Sequence, residues 1–352
     1  MRNDTRQQFE QYTSQLASLN AVSSAMVQFS VEPSIQQKLE TKMQESVDFL
    51  GMINIVPVDE LKGEKVGIGI NGTIASRTDT SGGKARVPFD PTGLQNTKYE
   101  CEKTNYDTSI GYAKLDAWAK FKDFQIRIRD AIVKRQGLDR IMIGWNGKLA
   151  AKDTDRVQFP MLQDVNIGWI EHTRNDAPAQ VMSEGDAGTG HIYIYQPNSE
   201  ADTKEGDYGN LDALVFDLVN SKIKPWYQDD TDLVVICGRK LLADKYFPIL
   251  NETRDNQNKL AGQVLVSQKQ IGGLLAIRVP FVPEDTLIVT RLDNLSIYWQ
   301  IGGRRRHLEE QPSLDRIVNW ESSNDAYVVE DYDCIAVAEN ITLGAKPAPA
   351  GG

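Results

Sequence analysis

Lys62-Gly63-Glu64-Lys65-Val66-Gly67-Ile68-Gly69-Ile70-Asn71-Gly72 is a glycine-punctuated extended run, and a glycine pair, Gly82-Gly83, follows it. Val66, Ile68, Ile70 and, past Asn71-Gly72, Ile74 alternate with small or polar residues, which is the period of a β-hairpin. From about Leu115 to Trp145 comes one long helical pattern, about 45 Å of rod at 1.5 Å per residue. A glycine ribbon has few large side chains to bury, so ribbon and rod cannot close a two-layer core by themselves. The combination predicts a part that reaches its neighbours.

Gly67-Ile68-Gly69-Ile70-Asn71-Gly72 also satisfies G-x-G-x-x-G, and Asp90 stands near the distance of a ribose-binding acid. A dinucleotide site needs a helix opening at the last glycine, whose amides hold the pyrophosphate. Thr73 to Gly83 is a Thr/Ser/Gly-rich stretch with no helix start. An α/β oxidoreductase using this loop is therefore the weaker alternative.

At 352 residues with 40% hydrophobic content, the chain can fill about two ordinary cores. A formal charge of −10 argues against a protein that coats nucleic acid generally. Charge is uneven, with a basic excess over Lys98–Lys148 and an acidic stretch over Glu309–Glu339, a pattern suited to self-association. The three cysteines, Cys101, Cys237 and Cys334, are odd in number and widely spaced, which predicts reduced thiols. No apolar run approaches the roughly 18 residues of a membrane span, and the N-terminus lacks a continuous apolar signal region.

Phe9, Tyr12, Leu16 and Leu19 recur at helical spacing, which predicts a helix over about 5–28. Pro33 biases Glu32 away from the helical region, so Ser30-Val31-Glu32-Pro33 reads as an exposed linker. Ser34 would then cap a helix running to about Phe49. In the rod, Trp118, Phe121, Phe124, Ile128, Ala131, Ile132, Leu138, Ile141, Met142 and Trp145 form a stripe, and Gly137 predicts a bend or a close backbone contact. Residues 151–209 show little periodicity. Leu211–Lys224 and Lys240–Leu250 read as helices around the strand Leu233–Cys237, and strands are expected at Ala276–Val279, Thr286–Thr290 and Ser296–Trp299, a mixed α/β unit. Residues 326–343 read as one or two last strands before a loose tail.

Catalytic signatures are weak. His172, His191 and His307 have no partner at metal-ligand spacing, and Cys237 ends an apolar strand, which predicts an inert thiol. Asp229, Asp230 and Asp232 read as a solvated turn rather than a metal cluster. Arg304-Arg305-Arg306 is the sharpest basic run. It admits two readings, contact with nucleic-acid phosphate or ion pairs within or between subunits.

Met43–Leu50, Ile53–Val58, Lys62–Lys65, Lys98–Cys101, Asp123–Arg129, Pro160–Val165, Leu241–Pro248 and Asp293–Tyr298 together closely resemble the major capsid protein family of P2-type temperate tailed phages, in order along nearly the whole chain. The resemblance implies an α+β, HK97-type capsid fold. It divides the chain into a cleaved N-terminal helix (1–32), an N-terminal arm (33–55), an extended loop (56–105), a peripheral domain with the spine helix (106–207), an axial domain (208–320), return strands (321–343) and a tail (344–352). It implies that Gly63, Gly67, Gly69, Gly72, Gly82 and Gly83 belong to the loop that lies over a neighbouring subunit, and that Ser30, Val31, Glu32 and Pro33 mark the maturation cleavage region. The expected function is structural and non-enzymatic, without cofactor or metal. Expected partners are further copies in pentamers and hexamers, a scaffold and maturation protease, a portal, and packaged double-stranded DNA bound without sequence specificity. Assembly in the host cytoplasm into the virion capsid is expected, with no membrane. An encapsulin-like compartment is the alternative within the same architecture.

Overall fold

The computed structural model describes residues 1–70, 75–83, 85–88, 92–118, 124–186, 188–197, 204–242 and 270–347. Its helices are α1 (Asn3–Leu19), α2 (Pro33–Ser46), α3 (Tyr112–Trp118), α4 (Phe124–Asn146), α5 (Trp169–Asp176), α6 (Leu211–Lys222) and the single turn α7 (Pro225–Gln228). The strands are β1 (Phe29–Ser30), β2 (Asn54–Val58), β3 (Lys62–Ile70), β4 (Thr92–Glu100), β5 (Glu102–Asn105), β6 (Thr108–Gly111), β7 (Val181–Met182), β8 (Ile192–Ile194), β9 (Leu233–Cys237), β10 (Gln270–Ile271), β11 (Leu274–Arg278), β12 (Leu287–Arg291), β13 (Leu295–Gln300), β14 (Arg305–Gln311), β15 (Arg316–Val329), β16 (Ile335–Ala338) and β17 (Ile341–Leu343).

Two larger sheets organise the body. One has seven strands built on β15, which at 14 residues is long enough to pair with β14, β13, β5 and β6, while β1 and β2 complete the order β1-β14-β15-β13-β2. The other runs β10-β11-β9-β12-β16-β7, mixing parallel and antiparallel pairs. Its strand β9, Leu-Val-Val-Ile-Cys, is buried at every position, as expected of an apolar strand covered on both faces. α6 packs Leu214, Val215 and Leu218 against that sheet. A second core joins the two sheets: Ile236, Ile288 and Val337 from one meet Leu295, Ile297, Tyr327 and Val329 from the other. At its centre Trp169 stands edge-on to Trp145 and Tyr327, with ring centroids 4.8 and 5.4 Å apart, and donates Nε1–H to the Ser296 carbonyl at 3.0 Å.

The ribbon differs from the sequence expectation in its return path. β3 pairs antiparallel with β4, from Lys62 opposite Glu100 to Ile70 opposite Thr92, so the returning strand is 92–100 and not the segment just past Asn71-Gly72. Asn71, Gly72 and Ile74 lie outside the described residues. α1 also stops at Leu19 rather than near 28. Asn20 turns its amide back onto the Leu16 carbonyl and Ala21 adopts φ 52°, which ends the helix. α2 starts with Pro33 in its first turn and has no side-chain cap, so Ser34 is not the N-cap, and the helix ends at Ser46. The rod is seen as α3 and α4, with 119–123 outside the described residues; α6 ends at Lys222, and the expected helix from Lys240 is described only to 242. Within α4, Ala131 is exposed whereas Val133, Gln136 and Arg140 are buried, so the apolar stripe is offset from the one read in the sequence.

The strands expected in one α/β unit separate. β13, expected there, joins the seven-stranded sheet together with β14, a strand not read in the sequence, while β16, from the return segment, pairs with β12 in the other. A boundary at residue 320 therefore cuts through β15.

Two glycines of α4 are required by packing. A Cβ on Gly137 would sit 3.0 Å from Val47 and 3.2 Å from Leu50 and Met43, the close backbone contact expected there. A Cβ on Gly144 would fall inside the indole of Trp169. Gly144→Ala should therefore reduce the unfolding free energy of the subunit in urea by about 1–3 kcal/mol, the usual cost of overpacking. Gly82→Ala, with nothing within 4 Å of the added carbon, should leave it unchanged.

Candidate assembly surfaces

The ribbon forms its own two-stranded sheet, and among the described residues its contacts with the body lie at its root. Gly63 lets Tyr99 of the paired strand lie across it, since a Cβ there would meet the Tyr99 hydroxyl at 2.6 Å. Tyr99 then stacks edge-on against Tyr298 at 5.1 Å, and Cys101 donates its backbone N–H to the Leu61 carbonyl at 2.8 Å. Cys101, Ala326 and Val328 close the root, and burial pushes the Cys101 thiol up to about 12. Lys62 pairs with Glu100 across the two strands. Gly67 and Gly69 lie in β3 opposite Gln95 and Gly93. Gly82 and Gly83 belong to an exposed turn, where Gly83 has φ 81° and donates to the Thr80 carbonyl. Beyond it Val87 is 84% exposed.

The N-terminal segment lies on the seven-stranded sheet. Arg2 N–H and the Thr5 hydroxyl donate to Asp116 at 2.9 and 2.7 Å, Arg6 pairs with Glu310 at 2.9 Å, and Arg306 donates to the Tyr12 hydroxyl at 3.1 Å. Beneath α1, a cavity of about 590 Å3 lined by Phe9, Tyr12, Leu39, Ile132 and Ile317 separates it from the body. The expected exposed linker is only partly so. Ser30, Glu32 and Pro33 are exposed, but Phe29 and Ser30 pair with Arg306 and Arg305, and Val31 is buried with its N–H on the Arg304 carbonyl at 2.9 Å.

Between arm, rod and sheet lies a buried ionic cluster. Arg140 of α4 holds Glu40 of α2 through both terminal nitrogens and Asp325 of β15 at 2.9 Å. Arg304 donates to Glu40 at 3.2 Å, to Glu321 through Nε at 2.8 Å, and to the side-chain Oε1 of Gln136 at 2.8 Å. Both guanidiniums have essentially no exposed surface. Burial opposes their charge, but Asp325 and Glu40 around Arg140, and Glu321 and Glu40 around Arg304, raise both above the ordinary arginine value. Burial alone would raise the Glu321 carboxyl; Arg304 and Arg306, with hydrogen bonds from Arg304 and Asn319, instead hold it at about 2. This settles part of the Arg304–Arg306 reading, because Arg304 is an internal ion-pair residue. The run gave only its strand alternation as a clue, and Gln136 and Arg140, one helical turn apart, are the other trace in the sequence.

Among the described residues no group of three or more His, Cys, Asp and Glu is placed to hold a metal, and no helix is long and apolar enough to cross a membrane. Gly67 to Ile70 lie in a paired strand and residues 75–83 form no helix, so no helix N-terminus faces a pyrophosphate there. Burial pushes the thiols of Cys237 and Cys334 up to about 11 and 12. Asp230 pairs with Arg291 at 2.8 Å and accepts the Asp232 N–H, which makes that acidic turn a structural one.

Residues 8–341 match the model of the phage major capsid protein, P2 family. The chain belongs to that family. It is 52% identical over 354 residues to the capsid proteins of Escherichia phage P2, covering 99% of this chain and 98% of the relative. It is 40% identical over 351 residues to the major capsid protein of Serratia phage KSP20, covering 97% and 98%. A solved satellite phage P4 procapsid, which includes size determination (Sid) protein, contains a chain of 50% identity that superposes with a TM-score of 0.80 over 98% of this chain and 99% of that one. The fold is thus the HK97-type capsid fold, and the protein is a major capsid component of a P2-type virion that assembles into multimeric icosahedral shells. The comparisons favour neither the oxidoreductase nor the encapsulin-like reading.

The cluster makes a signed prediction. A carboxyl whose folded pKa is depressed stabilises the fold above its unfolded value, and that stability is lost as pH falls through the folded value. For Glu321 the window runs from the ordinary 4.5 down to about 2. Urea unfolding of the subunit should weaken over this window. Glu321→Gln should flatten that dependence and cost about 3–5 kcal/mol at neutral pH, because it leaves Arg304 underpaired in the interior. Identical pH profiles for the two proteins would contradict the assignment.

Proposed function

We propose that this chain closes its shell by laying the β3–β4 ribbon over a neighbouring copy and using segment 1–32 as an assembly-stage brace that a maturation protease removes. The observation carrying this reading is a ribbon of nine residue pairs with no second sheet layer on it among the described residues. Gly63, Gly67, Gly69, Gly72, Gly82 and Gly83 serve the reach of the ribbon, and Ser30, Val31, Glu32 and Pro33 mark the region of the cut. The chain performs no catalysis and takes no cofactor. Heterologous contacts of arm on body generate five- and six-membered rings, with the six-stranded sheet towards the axes and α4 with the seven-stranded sheet at the periphery. Scaffold, protease, portal and packaged double-stranded DNA are the further partners, and assembly takes place in the host cytoplasm. A net charge of −10 disfavours general adhesion of the genome to the wall.

Deletion of Lys65–Lys84 should leave a folded, soluble subunit that forms no shells by sedimentation and negative-stain microscopy. Normal particles from the deletion would remove the ribbon from the account.

Mass spectrometry of mature, DNA-filled particles should find chains trimmed within about 30 residues of the N-terminus, at the proline-marked break. Chains of full length throughout such particles would refute the trimming.

A further inference from the structure

Arg304 is internal, but strand alternation turns Arg305 and His307 to the opposite face of the seven-stranded sheet. Across the strands Arg305 lies opposite Ser322, which in turn lies opposite Asn105, and His307 lies opposite Trp320. Lys103, two residues from Asn105, falls on the same face. These side chains line a cleft of about 550 Å3, with Gln28 at its rim. Arg305 and Lys103 are exposed, and among the described residues neither is in an ion pair. The nearby acids already hold donors: Asp107 accepts the Glu321 N–H at 3.1 Å, Glu321 binds Arg304, and Glu309 accepts the Trp320 Nε1–H at 2.9 Å. His307 Nδ1 is shielded from solvent and has no hydrogen-bond partner. Trp320, its N–H fixed by Glu309, is 41% exposed beside the cations.

We infer that this cleft is a contact site for the phosphate backbone of nucleic acid, with Lys103 and Arg305 neutralising phosphates and the Trp320 ring packing on sugar or base. Unpaired cations beside an anchored aromatic ring are the elements of sequence-independent nucleic-acid binding. An acidic peptide would use the two cations but would leave the ring without a stacking partner. The site is local, since a chain of net charge −10 repels a polyanion elsewhere. Gln28 belongs to the segment proposed to be removed, so trimming would widen the mouth of the cleft. The inference rests on the shell reading only in taking packaged DNA as the source of the phosphate.

The test is fluorescence anisotropy of a short labelled DNA duplex with the purified full-length protein, from about 50 to about 200 mM salt. The double variant Lys103→Ala/Arg305→Ala is compared with Lys134→Ala/Lys152→Ala, which removes the same charge from other exposed positions. The cleft variant should bind about tenfold more weakly or worse at low salt, with a log–log salt slope reduced by about 1.8, while the control pair keeps most of the binding. Trp320→Phe should retain the salt slope and lose the quenching of tryptophan fluorescence that DNA causes in the parent. No binding by the parent protein, equal loss in both double variants, or equally effective displacement by poly-glutamate would each overturn the inference. Urea midpoints of the variants report their folding, and shell formation is read separately by negative stain. Failure of the parent to form shells would count against the shell reading, whereas normal shells with unchanged DNA affinity in the cleft variant would sink the cleft alone.

Discussion

Three carboxylates and two guanidiniums without solvent access hold the arm, the rod and the long central strand in one arrangement. Removing such charges from water costs several kcal/mol per ion, and their attraction offsets this only when every partner is in place. The cluster is therefore an instrument of register more than of net stability. Glu40 must come from α2, Arg140 and Gln136 from α4, and Glu321 and Asp325 from β15, so a slip in any one element leaves a charge unpaired in the interior. Gly137 and Gly144 then allow α4 to approach α2 and Trp169 closely enough for those distances to be met. Rigid geometry matters for a subunit that must present the same surfaces in many copies, since small angular errors accumulate around a ring.

The N-terminal helix is held differently. Its ion pair with Glu310 lies near the surface, where such pairs contribute little, and its apolar side is divided between the cavity and a small cluster in which Leu16 and Ala17 pack with Phe29, Val31 and Leu308. The ionic cluster begins only at Glu40, beyond Pro33. The carboxylates and guanidiniums of the cluster all lie beyond residue 32, but loss of 1–32 would uncover Leu308 and free the Arg304 carbonyl that accepts the Val31 N–H. Its two-residue strand at Phe29–Ser30 does cover the edge of β14, and Val31 is tucked in behind it. Under the proposed trimming, a protease cutting within Ser30–Pro33 would have to act on chain that has first come off that edge.

Most of the fold was legible where pattern and environment agree. Leu233–Cys237 reads as a doubly covered strand and is one, and Leu211 opens α6 as its apolar periodicity predicts, with Asn210 as the cap. The extended character of Lys62–Ile70 was legible as well. Its partner was not, because Asn71-Gly72 is a strong local turn signal and pairing with Thr92–Glu100 is a long-range choice that local chemistry does not record. The assignment of β13 and β14 to the seven-stranded sheet was hidden for the same reason. For Arg304 the run left two readings open, because three consecutive arginines do not show which one alternation along a strand buries and which it exposes. Glu40 sits in a polar helix face with no local mark of its role, since its partners are 100 and 264 residues away.

On the proposed reading, the ribbon sets the thermodynamics of assembly. An isolated two-stranded hairpin is marginal in water, and glycines at Gly63, Gly67 and Gly69 raise the entropy lost when it is ordered. Its root is secured by Tyr99, Tyr298 and Cys101, which fix the direction in which it leaves the body but do not cover its length. On the proposed reading, contact with a neighbour would supply a second layer, and ordering the arm and joining subunits would become one event. The free energy of that event is the gain from burial less the entropy of a glycine-rich strand pair, which keeps each contact weak. Weak contacts repeated around a ring permit misplaced subunits to leave before the shell closes. On that reading the ionic core and the arm are complementary: the core would fix where each contact must fall, and the arm would keep any single contact reversible.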